Sequence, residues 1–408
     1  MKNRVLAAAA TAALLLAVGA CGSRKAPETP LAEGGILTLG ASLALTGATA
    51  KEGLYTKEGY EVCQKVVNAK GGVVAGGRKY TLDIQFQDDT SKADVSAQLV
   101  DQYNDKGIKL ILGPYGSGPT EAVAAVIERN NQVMAVSAGA DNKIFAKGYQ
   151  RSFAVLSPAT SYVASMVQAI YDMAKPRPRT VAFISADDGF SKTATKGGLE
   201  KAKELGFDVV AEEYVPNQTT DVSAALTKIK PKNPDVIVGS VHLSEGIAIV
   251  KQAKELGVTP QVFAETVAPP TPDFAKTLGD SANGVLGSTQ WTPKTAGSET
   301  FFGTAADYAA TFKQQYGGRS PTYHNAEATA ACLALVLAVQ KAGTTEPDKA
   351  RDALAALDTP SFFGPIKFNA QGMNVTKSMG VIQIQNGNAV PVWPTDSAEA
   401  PLVWPGAK

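Results

Sequence analysis

Ile111-Leu112-Gly113-Pro114-Tyr115-Gly116-Ser117-Gly118-Pro119-Thr120-Glu121 is the stretch on which the fold turns. It reads as an apolar strand end, a glycine-rich turn and a helix start that runs on as Ala122-Val123-Ala124-Ala125-Val126-Ile127. Glycines let the backbone approach a ligand closely, Pro119 suits a first helical turn because it has no N–H to lose, and a helix N-terminus carries a partial positive charge. Free N–H groups aimed at one point, with the Ser117 hydroxyl beside them, suit a phosphate, a carboxylate or a reacting oxyanion. The same turn also serves as a plain strand-to-helix connection.

Outward from this turn the pattern alternates strand and helix. Upstream, Ile36-Leu37-Thr38-Leu39-Gly40-Ala41-Ser42-Leu43 predicts a first strand, and Tyr60, Cys63 and Val67 fall at helical spacing before a stop at Gly71. Leu82, Ile84 and Phe86 alternate with polar residues as a strand, Val95, Leu99 and Tyr103 mark a helix ending at Gly107, and Val133-Met134-Ala135-Val136 is the strand after the turn. The series restarts beyond Pro158 with strands at 180–185, 209–214, 236–239 and 262–264. Ala-Lys-Glu-Leu-Gly occurs at 202–206 and again at 253–257, a shared helix-stop solution rather than an internal repeat. Past Gly287, helices are predicted at 301–316, 325–340 and 348–357, with strands at 366–368 and 381–384 before a proline-rich tail. Repeated βα units of this length imply an α/β fold with parallel sheets covered by helices on both faces.

The N-terminus sets the compartment. Lys2 and Arg4 precede an apolar run from Val5 to Val18 broken only by Thr11, and the run closes Val18-Gly19-Ala20-Cys21. This is a secretory signal rather than a membrane span, and its last residues look like a bacterial lipobox in which Cys21 is lipidated after cleavage of residues 1–20. Residues 21–35 have the small, polar, proline-containing composition of a flexible tether. Removing the signal takes two of the 39 basic residues and none of the 38 acidic ones, which leaves a formal balance of −1 and gives nucleic acid no basic footprint. The roughly 370 residues that remain suffice for two domains, and no second apolar stretch reaches membrane length.

Candidate chemistry is sparse. The only histidines are His242, just after a strand, and His324. Without clustered cysteines or carboxylates they give no metal site, and no cofactor is expected. The glycines of the opening turn reverse the dinucleotide spacing, there is no Gly-Lys-Ser/Thr triplet for a phosphate loop, and Tyr115 stands where a nucleophile elbow at Ser117 would need glycine. Asp88-Asp89, Asp187-Asp188 and Glu212-Glu213 are adjacent acids whose side chains point to opposite sides of a strand. No enzyme is expected from these absences. Cys63 and Cys332 each fall on the apolar side of a helix; as small core residues they need no partner, and the exported compartment also permits a disulfide between them. Tyr323 and Glu327 begin a helix that either borders a cleft or presents an ordinary packing face.

Several segments, taken in order, resemble the branched-chain amino-acid binding proteins, the type I periplasmic binding proteins that serve ABC transporters. They are Gly40-Ala-Ser-Leu-Ala-Leu-Thr-Gly47, Val67-Asn-Ala-Lys-Gly-Gly72, Gln87-Asp-Asp89, Lys106-Gly-Ile-Lys-Leu-Ile-Leu-Gly-Pro114 and Phe363-Gly-Pro-Ile-Lys-Phe368. The resemblance implies a Venus-flytrap: two Rossmann-like lobes with parallel central sheets, joined by three crossover segments near 155–158, 287–291 and 366–369. Lobe 1 would be 36–157 plus 291–367, and lobe 2 would be 158–290 plus 368–400. By the same resemblance Tyr115, Gly116 and Ser117, with Ala138, Gly139 and Ala140, would hold a ligand carboxylate. Lobe 2 would close on the ligand with Phe190, His242, and Glu265 or Thr266 as the acidic position, and Trp291 is a further aromatic candidate.

The chain departs from the family where branched-chain binders carry a run of serines and here Gly116-Ser117-Gly118 stands, where they carry a tyrosine and here Phe190 stands, and in lacking their small lobe-1 disulfide. The implied protein is a monomeric, lipid-anchored solute receptor at the periplasm or cell surface. It would capture a small carboxylate-bearing molecule and pass it to an ABC transporter permease. A branched-chain or related amino acid, an amide and an aromatic acid all remain open as ligands, and a sensor subunit remains open as a role.

Overall fold

A computed structural model describes residues 31–406. The expected signal peptide, Cys21 and the tether up to residue 30 lie outside the described residues.

The first half of the chain runs β1 (Ala32–Leu43), α1 (Ala50–Ala69), β2 (Val73–Ala75), β3 (Arg78–Asp88), α2 (Ala93–Asp105), β4 (Leu110–Leu112), α3 (Ser117–Arg129), β5 (Val133–Val136), α4 (Asn142–Phe145) and β6 (Ser152–Ala154). These strands form one sheet in the order β2-β3-β1-β4-β5-β6, parallel except for the β2–β3 hairpin. The chain continues with α5 (Thr160–Met173), β7 (Thr180–Ala186), α6 (Gly189–Glu204), β8 (Asp208–Val215), α7 (Ser223–Ile229), β9 (Val236–Ser240), α8 (Leu243–Leu256), β10 (Val262–Glu265), α9 (Pro272–Leu278) and β11 (Leu286–Thr289).

Two short antiparallel pairs follow, β12 (Ser298–Glu299) with β13 (Gly303–Thr304) and β14 (Asp358–Thr359) with β15 (Ile366–Lys367). Between those pairs lie α10 (Ala305–Gln315), α11 (Tyr323–Ala342) and α12 (Pro347–Ala355). Finally β16 (Gly380–Gln385) pairs antiparallel with β11 and β17 (Asn388–Trp393) antiparallel with β16, completing a second sheet in the order β17-β16-β11-β10-β9-β7-β8. The α/β reading with two lobes holds.

Several boundaries differ from the sequence reading. β1 starts at Ala32, because Ala32 and Glu33 already pair with Arg78 and Lys79, so residues expected in the tether extend the strand. The sequence pattern does not show β6 and β11, which are three and four residues long with almost no room for a period to appear. The expected proline-rich tail contains β17, in which Pro391 is tolerated because the strand lies at the sheet edge, where a missing N–H costs no ladder bond. The late helices α10, α11 and α12 pack on the first sheet with Leu39, Leu112 and Val133 in one buried core.

The chain passes between the sheets after β6, after β11 and after β15. Those passages are tied to one another. The Ser157 N–H donates to Gln290 Oε1 at 3.1 Å, the Ser157 hydroxyl donates to the Lys377 carbonyl at 2.9 Å, and Gln290 Nε2 donates to the Tyr162 hydroxyl at 2.8 Å.

Cys63 and Cys332 are both fully buried and joined by a disulfide, so α1 is bonded to α11. The helices are close enough for this because Gly59 has no side chain; a Cβ there would stand 2.2 Å from the Asn325 carbonyl oxygen. Thr329 donates to the Gly59 carbonyl at 2.7 Å and Asn325 Nδ2 to that of Tyr55 at 2.7 Å. Thr322 and Asn325 cap α11 reciprocally, which fixes where its first turn points.

Candidate functional site

The turn after β4 is built to face a neighbour. Gly116 sits at φ 90°, a left-handed conformation that favours glycine, and caps α3. Tyr60, buried under it, donates to the Gly113 carbonyl at 2.8 Å and pairs with Ser137 Oγ at 2.8 Å, so the turns after β4 and β5 are held together. Ser117 Oγ accepts the Asp141 N–H at 3.1 Å. Its own hydrogen is therefore left to donate, next to the Ser117 and Gly118 N–H groups at the start of α3.

Across from this turn stand the N-termini of α6 and α8. Gly189 lets α6 come close, since a Cβ there would lie 2.5 Å from Asp141 Oδ2, and Thr193 donates to Asp141 Oδ1 at 2.7 Å. Phe190 meets Tyr162 edge-on with ring centres 5.0 Å apart and lies 5.6 Å from His242. His242 Nε2 is 3.3 Å from Asp188 Oδ2, and its Nδ1 is 3.5 Å from the Tyr115 hydroxyl on the opposite side. Burial alone would lower the imidazole pKa, but Asp188, and after it Glu245 and Glu52, raise it to about 9, so His242 is cationic at neutral pH. Asp188 is held below the usual carboxylate range: burial works against this, and His242 together with Ser191 outweighs it.

These elements enclose a small cavity of about 20 Å³, well below the volume of typical small-molecule sites. Among the expected residues, Tyr115, Gly116, Ser117, Ala138, Ala140, Phe190 and His242 line it. Gly139 does not; it packs against Thr120, where a Cβ would lie 2.5 Å from the Thr120 side chain.

Glu265, expected as the acid of lobe 2, points into the interior beside Gly239 and Gly246, and both of its oxygens lack a hydrogen-bond partner. Burial, with Glu245 adding to it, pushes its pKa well above the usual carboxylate range. Thr266 is spent on structure, as its hydroxyl donates to the Val241 carbonyl at 2.6 Å and accepts the Val241 N–H at 2.9 Å. The next residue, Val267, reaches the cavity instead. Trp291 faces away from it: its indole N–H donates to the Phe362 carbonyl at 3.0 Å and its ring lies edge-on to Tyr308 in the core under the first sheet.

The remaining wall is Tyr162, Tyr323, His324 and Glu327. The sequence marks Tyr323 and Glu327 only as one alternative border of a cleft, and His324 carries no local signal at all. The capped α11 start and its bond to α1 bring them there. His324 Nδ1 lies 2.9 Å from Glu327 Oε1. Burial, aided by the charge on His242, lowers the His324 pKa to about 3, and burial raises Glu327 well above normal with Lys377 opposing it. The Tyr115, Tyr162 and Tyr323 hydroxyls are pushed up chiefly by burial and stay protonated. The arrangement can bind an anion between neutral donors and one imidazolium.

The periplasmic binding protein family profile matches residues 37–389. The Leu/Ile/Val-binding protein homolog 8 of Brucella abortus is 24% identical over 386 residues, covering 90% of this chain and 92% of its own. Among solved structures, the leucine binding protein LivK of Thermotoga maritima superposes with a TM-score of 0.78 at 22% identity, covering 87% of this chain and 97% of that one. A solute binding protein of R. palustris in complex with benzoate superposes at 0.72 with 17% identity, covering 91% and 97%. At such identities the superpositions speak for the fold. With a profile match that runs from the first strand into the last, and a cleft between two sheets that can hold an anion, the chain belongs to the periplasmic binding protein family, a non-enzymatic and extracytoplasmic family of solute binders.

Proposed function

We propose that the chain is the substrate-binding lipoprotein of an ABC importer, and that its ligand is a small carboxylic acid of the amino-acid class. The observation that carries this reading is the His242 imidazolium, held by Asp188 on one side of the cavity and facing the Ser117 hydroxyl and the α3 N-terminus on the other. A carboxylate between them meets charge from one lobe and hydrogen bonds from the other, so it favours the closed arrangement over an open one. Lobe 1 would be 36–157 plus 291–367 and lobe 2 158–290 plus 368–400, with the tied segments around Ser157, Gln290 and Lys377 acting as the hinge. Anchoring rests on Val18-Gly19-Ala20-Cys21, which fits lipidation at Cys21.

The Brucella and Thermotoga relatives are described as binders of leucine or its neighbours, which supports a branched-chain amino acid. A second reading, an aromatic acid, is favoured by the rings of Tyr115, Phe190 and Tyr323 around the cavity and by the benzoate held in the R. palustris protein.

A thermal-shift screen of amino acids, amides and aromatic acids tests the proposal, because a ligand that binds only the folded state raises its apparent stability. Acids are expected to raise the melting temperature and the corresponding neutral amides to do so less. If no acid moves it, the carboxylate reading fails.

A further inference from the structure

We propose that the Glu327–His324 pair on α11 selects for a protonated amino group on the ligand, so that lobe 1 by itself receives both the carboxylate and the ammonium of an amino acid. This inference rests on the carboxylate reading above and adds the second half of the ligand.

Glu327 and His324 are 1% and 2% exposed, yet Glu327 Oε2 and His324 Nε2, one atom on each side of their mutual 2.9 Å contact, have no hydrogen-bond partner. Both residues line the cavity. Buried polar atoms left open in this way are costly and call for an occupant. With the shared proton on His324 Nδ1, what remains is an acceptor nitrogen beside a carboxylate oxygen, which suits the several N–H donors of one ammonium.

The other carboxylates near the cleft do not line the cavity. Asp188 is engaged by His242 and Ser191, Glu265 is buried beside Gly246, and Glu245 accepts the Gln218 N–H. Glu52 faces the Leu243 N–H and His242. Among the described residues, Glu327 is the one carboxylate that lines the cavity. Lys377, the cation whose charge it feels, is occupied with the Phe363 carbonyl and lies over the Phe363 ring at 3.9 Å, so it leaves the Glu327 oxygen open. Aromatic rings around the site, Tyr115, Tyr323 and Phe190, are compatible with a cation as neighbour.

The test compares each amino acid with the same molecule lacking its amino group: leucine against isocaproate and phenylalanine against hydrocinnamate, by titration calorimetry on the full chain. The wild type is expected to prefer the amino acid of at least one pair by roughly ten- to hundredfold, as a charge-assisted hydrogen bond gives. Glu327→Gln should collapse that preference while leaving the affinity for the amino-free acid within about threefold, a selectivity readout that a purely structural role would not move. The wild-type ratio needs no variant, so misfolding of E327Q, checked by its melting curve, does not shelter the idea. Equal or stronger binding of isocaproate and hydrocinnamate to the wild type, or an unchanged ratio in a folded E327Q, overturns the assignment and leaves the carboxylate reading standing. Failure of all four acids to bind overturns both.

Discussion

The two walls of the cleft meet one cavity with different chemistry. On the lobe 1 side, Tyr115, Ser117, His324 and the α3 amides are neutral hydrogen-bonding groups, fixed by contacts within that lobe: Tyr60 under the turns and the Cys63–Cys332 bond behind α11. The lobe 2 side is two rings, Tyr162 and Phe190, a valine and one charge, and that charge is held chiefly by Asp188 beside His242. A wall of pre-set donors and acceptors can receive a ligand whether or not the other lobe is near. A wall whose contribution is a single imidazolium acts when it is brought up to a bound anion. On the proposed reading, recruitment falls to the first wall and closure to the second.

The largest expected effect falls on the first wall. The disulfide closes a loop of 269 residues, so replacing Cys63 and Cys332 together by alanine is expected to cost about 3 to 5 kcal/mol of stability in denaturant titration. Affinity for the ligand should stay within about twofold, and a stability loss under about 1 kcal/mol would mean that α1–α11 packing suffices without the bond.

On the second wall, Asp188→Asn strips the imidazolium of its counter-ion and is expected to weaken acid binding by about 2 to 3 kcal/mol in titration calorimetry. The pH profile follows the same group. His242 is raised from 6.5 to about 9, so its contribution is complete below 6.5 and fades as the pH rises through about 9; acid affinity should hold at neutrality and fall in that alkaline window. An Asp188→Asn variant that loses no affinity, or a profile that stays flat throughout that window, would remove His242 from the site.

Ser117→Ala takes one hydroxyl donor from the first wall, with an expected loss of about 1 to 2 kcal/mol at unchanged stability; an unaltered dissociation constant would move the carboxylate elsewhere. The smallest effect is at the rim, where the Tyr55 hydroxyl donates to Asp273 at 2.9 Å between the lobes, beside a 3.3 Å ion pair from the exposed Lys51. Tyr55→Phe should reduce affinity roughly two- to fivefold, mostly through faster dissociation, because it loosens closure without touching the cavity.

Much of this is legible in the sequence, and the part that is not has a common cause. The strand–turn–helix at Gly113 to Pro119, the glycine helix stops and the repeated βα spacing are local, since each depends on residues within a turn or two, and they lead to the two-sheet architecture. The lobe 1 positions at Tyr115, Gly116 and Ser117, and Phe190 and His242 opposite, follow a strand or open a helix, where side chains must face the space between sheets. Glu265 shows where that logic stops. One residue of register decides whether the strand end offers its carboxylate to the cleft or hides it under α8, and the glycine at 246 that makes room for it there lies on another element. Trp291 fails for a similar reason, as its indole finds the Phe362 carbonyl 71 residues away.

The sequence by itself determined the α/β alternation and the glycine turn that opens a helix, because these are set by short-range sterics, helix ends and hydrophobic period. Tertiary structure alone decided that Cys63 meets Cys332 and that α11 delivers His324 and Glu327 to the cavity. It alone also decided that His242 keeps its proton. Each of these depends on groups that are distant in sequence and adjacent only after the lobes have packed, where removal from water makes one neighbouring charge enough to settle which protonation state survives.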